Sequence, residues 1–158
     1  MLRAPAAAML VVLLAACGDT GSGTTTTPSP EAQPTVSASP TMPEGVVAVS
    51  LSEMELLVGS DTAPAGEVTF EVKNAGDLPH ELVVVRTDAD AAELPVEDVK
   101  VVENELDVVA RTDHVPAGGA ATLTAQLDAG HYVLICNLSG HYEESQFGPG
   151  MRANFDVQ

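Results

Sequence analysis

The sequence is poor in positive charge. Six lysines and arginines stand against 23 aspartates and glutamates, giving a formal net charge of −17 over 158 residues. Nucleic-acid binding through phosphate contacts requires a basic surface, and this balance excludes it. Several chemical signatures are absent as well. The chain has no Gly-x-Ser-x-Gly element, no phosphate loop, no convincing pair of carboxylates and no internal repeat, so nothing in it announces a hydrolase or a nucleotide site. The apolar run from Ala4 to Ala16 is too short to span a bilayer comfortably and reads as a secretory signal. Cysteine is scarce, with Cys17 and Cys136 only.

The N-terminal part is organised for export. Residues 1–16 read as a signal peptide, and Leu14-Ala15-Ala16-Cys17 resembles the lipobox of bacterial lipoproteins. That resemblance implies cleavage before Cys17, lipidation of its thiol and an extracytoplasmic chain anchored to the bacterial cell membrane. Cleavage would remove Arg3 and no acid, so the mature chain is more acidic still. Anionic head groups repel such a protein, and contact with the membrane is expected through the lipid alone. The segment 17–45 is rich in threonine, serine, proline and glycine with almost no large apolar side chain. It cannot bury a core and reads as a linker reaching roughly 30 Å as a coil. The acidity fits a basic docking surface on a partner, and it equally fits simple solubility of an exported domain.

From about Val46 the pattern changes. Strand signals run over 46–51, 54–58, 67–74, 80–86, 106–110, 121–127, 131–136 and 153–157, separated by Gly- and Pro-containing turns. Short strands at this spacing indicate an all-β fold, an antiparallel β-sandwich occupying residues 46–158. An acidic stretch, 87–105, carries some helical spacing and is expected to lie across one end of the domain.

The chemistry gathers near the C-terminus. If Cys17 carries lipid, Cys136 is left over in an oxidising compartment, where a lone thiol is either a metal ligand or a small buried side chain. Cys136 ends an alternating strand and His141 follows across Asn-Leu-Ser-Gly, a loop tight enough to bring both side chains to one point. One thiolate, two imidazoles and a weak axial group form the ligand set of an electron-transfer copper centre, whereas zinc more often recruits four strong ligands. The second imidazole must then come from elsewhere. His131 points to the opposite face of the strand, about 17 Å from Cys136. His114 sits in a connection between strands, and His80 opens a strand directly after Gly76-Asp-Leu-Pro79 at a sandwich end. His80 is the best remaining choice.

Asn74-Ala-Gly-Asp-Leu-Pro-His80-Glu-Leu-Val, Ala129-Gly-His-Tyr-Val-Leu-Ile-Cys136-Asn-Leu-Ser-Gly-His141-Tyr and Gly150-Met151 before a final strand resemble the cupredoxin family, in particular its plastocyanin- and azurin-type bacterial copper proteins. The resemblance spans 46–158. It implies a Greek-key β-sandwich holding one type 1 copper through His80, Cys136 and His141 with Met151 as axial ligand, and a monomeric one-electron carrier rather than an enzyme. It also implies a redox partner such as a cytochrome or an oxidase. Ten residues separate His141 from Met151, about five more than the family commonly shows, which leaves Gln146 as an alternative axial ligand. Glu81 stands where many members carry an asparagine that stitches two ligand loops together. Met54 reads as core, so no methionine-rich loading surface is present, and without a His-x-His pair the trinuclear site of multicopper oxidases cannot be built. Two other functions compete: copper storage or delivery to an oxidase, and a metal-free β-sandwich acting as an interaction module.

Overall fold

A computed structural model describes residues 43–158. The expected signal peptide of 1–16, Cys17 and nearly all of the linker of 17–45 lie outside the described residues. Eleven strands follow in order: β1 (Val46–Ser52), β2 (Glu55–Val58), β3 (Thr62–Ala63), β4 (Gly66–Asn74), β5 (Val83–Arg86), β6 (Val96–Glu97), β7 (Lys100–Val101), β8 (Asp107–Arg111), β9 (Ala120–Leu127), β10 (Gly130–Ile135) and β11 (Arg152–Val157). They form a four-stranded sheet, β2-β1-β4-β9, a five-stranded sheet, β3-β11-β10-β5-β8, and the small hairpin β6-β7.

Alternation in sequence becomes sidedness in space. Val47, Val49 and Leu51 of β1 and Val68, Phe70 and Val72 of β4 point into one core, where they meet Val84, Tyr132, Leu134 and Phe155 of the second sheet. Phe70 and Phe155 close the gap edge to face, with ring centroids 5.4 Å apart. An edge-to-face pair adds about 1 kcal/mol to the burial of two rings.

The sandwich is the expected one, but its sheets are mixed. β1 runs parallel to β4, and β11 parallel to β3. The reason is chain economy. β2 and β3 lie between β1 and β4, so the chain has room to cross to the other sheet and return from the same end.

The acidic stretch also differs from its expected spacing. It contains the hairpin β6-β7, turned through Asp98 and Val99 at φ 48° and 59°, and a 3-10 turn at Glu103–Glu105. Pro95 lacks an N–H and disfavours helix in the residue before it, which breaks the helical reading. The segment has a different task. β5 and β10 are apolar on both faces, and their outward side chains Val83, Val85, Val133 and Ile135 pack under Ala91, Leu94, Val101 and Tyr142.

Candidate metal centre

His80, Cys136 and His141 come from three different pieces of backbone. His80 precedes β5 and is fixed by a reciprocal pair of backbone bonds with Val115, at 3.1 and 2.7 Å. The turn before it is shaped by buried Asn74, whose amide donates to the Leu78 and Val115 carbonyls at 2.8 and 2.9 Å and accepts from the Gly76 N–H at 2.9 Å. Cys136 directly follows β10, and its N–H donates to the Met151 carbonyl at 3.0 Å. The connection to His141 closes as a tight turn, with Gly140 at φ 78° and the His141 N–H on the Leu138 carbonyl. Met151 in turn donates its N–H to the His141 carbonyl at 2.8 Å. Cys136, His141 and Met151 are therefore bonded to one another through their own backbones.

The side chains converge. The two Nδ1 atoms of His80 and His141 are 3.2 Å apart, and Cys136 Sγ lies 3.9 Å from the first and 3.5 Å from the second. In the plane of such a triangle one point is roughly 2 Å from all three atoms, the length of a metal–imidazole bond. His80 and Cys136 are wholly enclosed, and His141 is 9 % exposed. Met151 is wholly buried in the same core cluster as Cys136. Gln146 lies exposed in the loop between His141 and Met151. His131 is elsewhere, its Nδ1 2.8 Å from Asp156 Oδ1, and His114 is a largely exposed loop residue.

Burial sets the protonation of this group. It pushes the Cys136 thiol up and both imidazoles down, so all three donors are held neutral at neutral pH. A cation supplies the charge that makes the thiolate favourable in an enclosed place, and a neutral imidazole has a lone pair to offer it without first losing a charge. The donor set thus fits a metal ion. The Glu81 N–H lies 3.4 Å from Sγ and is positioned to draw off part of the thiolate charge.

Several supporting residues had no separate sequence signal. Glu53, in the turn between β1 and β2, places Oε1 3.5 Å from His80 Nε2. Nothing distinguishes it from the chain's other acids. With Glu81 where an asparagine stitch would stand, a longer one is built. The Glu81 carboxylate lies 3.4 Å from Arg111 Nη2, Arg111 grips Glu103 at 3.0 and 3.1 Å, and Asn137 donates to Glu103 at 2.6 Å. The residues after His80 and after Cys136 are joined by that chain of contacts. Arg111 was detectable in principle, since a cation is a rare resource in this sequence.

No family model and no curated protein sequence matches the chain. Solved structures do. Dithionite-reduced auracyanin from Roseiflexus castenholzii superposes with a TM-score of 0.53 at 22% identity, over 73% of this chain and 98% of its own. The azurin Az-iso2 from Methylomonas sp. strain J gives 0.54 at 18% identity, over 72% and 97%. Auracyanin B gives 0.50 at 20% identity, over 72% and 88%. At these identities the likeness is one of fold, and the fold is the sandwich that the resemblance in sequence implied.

Proposed function

We propose that this chain is a type 1 copper protein, a carrier that takes up and releases one electron at a time and catalyses no reaction of its own. The observation that carries the reading is the convergence of Cys136 Sγ with the Nδ1 atoms of His80 and His141 in an enclosed site. Three strong donors with a buried thioether nearby match copper better than zinc, which favours four strong ligands. Met151 is the axial ligand in this reading, supported by its burial in the same core cluster as Cys136, by its backbone hydrogen bonds to Cys136 and His141, and by the exposure of Gln146. Copper in the site would supply the Cu(II)/Cu(I) couple.

The chain's own residues do the rest. Cys136, His141 and Met151 are tied to one another through backbone hydrogen bonds and His80 is tied to Val115, so the donors have little freedom to rearrange when charge changes. His141, the least enclosed of the three, offers the shortest way out for an electron. We further propose that lipid on Cys17 holds the domain outside the bacterial cell membrane, on the strength of Leu14–Cys17 and the linker after it. Its partner in this reading is a redox protein, a cytochrome or an oxidase, and the chain's acidity supports a basic docking face on that partner.

The test is spectroscopic. Cu(II) added to the purified chain should give an intense thiolate-to-copper absorption band and a copper EPR signal, both lost in Cys136→Ser. Colourless protein, or colour that survives the substitution, overturns the reading. Metabolic labelling with a fatty acid, lost in Cys17→Ser, tests the anchor.

A further inference from the structure

His80 is wholly buried, and its Nε2 is the one enclosed side-chain nitrogen or oxygen among the described residues without a hydrogen-bond partner. Its Nδ1 faces Cys136 and His141. A neutral imidazole carries one proton, so a ring that offers its Nδ1 lone pair must bear that proton on Nε2. A buried N–H needs an acceptor. The Glu53 carboxylate is in the right place, with Oε1 3.5 Å away, about half an ångström beyond an ordinary hydrogen bond.

That carboxylate is itself held in place. The Asp77 and Leu78 N–H groups both donate to Oε1, at 2.7 and 2.6 Å. Gly76 completes the cradle, because a Cβ there would come within 2.5 Å of both carboxylate oxygens. Three consecutive residues of the loop leading to His80 thus make room for one carboxylate and aim it. The Leu78 N–H, together with that of Asp77, holds the Glu53 carboxyl below the ordinary carboxylate range, so it is ionised at neutral pH. The same turn touches the other side of the centre, where the Met54 carbonyl accepts the Gly150 N–H at 3.1 Å, next to Met151.

We propose that Glu53 is a positioning residue of the metal centre: its carboxylate accepts the Nε2–H of His80, locks the ring with Nδ1 inward, and by its charge favours the more positive oxidation state of the bound ion. A carboxylate behind a ligating imidazole raises the basicity of that ligand. In the metal-free protein the tautomers follow. His80 Nδ1 is the acceptor across the 3.2 Å contact, and His141 Nδ1–H is the donor. The part concerning oxidation state rests on the copper reading above, whereas the tautomer does not.

Two arms test it. In the metal-free chain, long-range 1H–15N NMR of the imidazoles should show His80 as the Nε2–H tautomer, and Glu53→Ala should redistribute its proton. Finding His80 as the Nδ1–H tautomer overturns the proposal whatever the metal does. In the loaded chain, Glu53→Gln is the informative variant. Its amide oxygen still accepts from Asp77 and Leu78, so the loop survives while the charge is lost. Cu(II) affinity should fall about tenfold relative to Cu(I), equivalent to a rise of about 59 mV for a one-electron couple. Gly76→Ala, which leaves Glu53 unmutated and pushes its carboxylate out of the cradle, should move the potential the same way. A changed stability with an unchanged potential makes Glu53 a loop acceptor only and overturns the proposal. Wild-type chain that forms no thiolate band defeats the copper reading, while the NMR arm still decides Glu53.

Discussion

The connection from Cys136 to Met151 has two halves of different character. Asn137–His141 is pinned. Asn137 is 2 % exposed, its amide exchanges two hydrogen bonds with the Val101 backbone at 2.7 and 3.1 Å, and the Gly140 N–H donates to the Val99 carbonyl at 3.0 Å. The acidic segment is what does the pinning. Glu143–Phe147, in contrast, is exposed throughout, and Ser145 and Gly148 bond mainly to each other. The extra residues noticed in the sequence fall in this second half. Length is tolerated where no other element leans on the chain, and the donors sit only where one does. Past the exposed half, contact resumes at Gly148 and Gly150, both close against the β1-β2 turn.

The largest break in this contrast is expected at its far boundary. Gly150 has φ 90°, and a Cβ there would collide with the Tyr142 carbonyl oxygen. Gly150→Ala should cost about 3 kcal/mol, read as a fall in the denaturant midpoint, and should disturb the centre because Met151 is displaced. An unchanged midpoint and spectrum would mean that the segment before Met151 is as loose as the loop tip. A smaller loss is expected from Asn137→Ala, which leaves the buried Val101 N–H without its acceptor; about 2 kcal/mol should be lost in a thermal or denaturant melt. If that variant melts like the parent, the acidic segment does not brace the ligand loop. The smallest effect belongs to the exposed half. Gln146→Leu should change stability by less than about 0.5 kcal/mol and leave the copper spectrum unaltered, while Met151→Leu shifts spectrum and potential. A strong response to Gln146→Leu would reverse the axial assignment.

The same contrast explains what could be read from the sequence. Strands were legible because alternation with a period of two, and the doubly apolar runs Leu82–Val85 and Tyr132–Cys136, translate directly into one-faced and two-faced burial. Cys136, His141 and His80 stood out because thiols and imidazoles are rare here and their spacing to strand ends is restrictive. The parallel pairing of β1 with β4 was invisible, since alternation says which face is buried and nothing about direction. Helical spacing in 87–105 misled because apolar residues placed to cover a sheet can mimic a helix stripe, and Pro95 was the contrary signal. Glu53 could not be found at all. Its role depends on Gly76 having no side chain, on two backbone N–H groups and on a histidine in another element, and none of these leaves a local pattern.

One consequence follows from strands β5 and β10 being buried on both faces. Their amides can meet deuterium only when the two sheets part and the acidic segment lifts together, so they should be among the last in the protein to exchange. His80 and Cys136 flank those strands in the chain. These two donors are therefore anchored to backbone that should open only with the whole domain, whereas His141 is carried by a connecting loop.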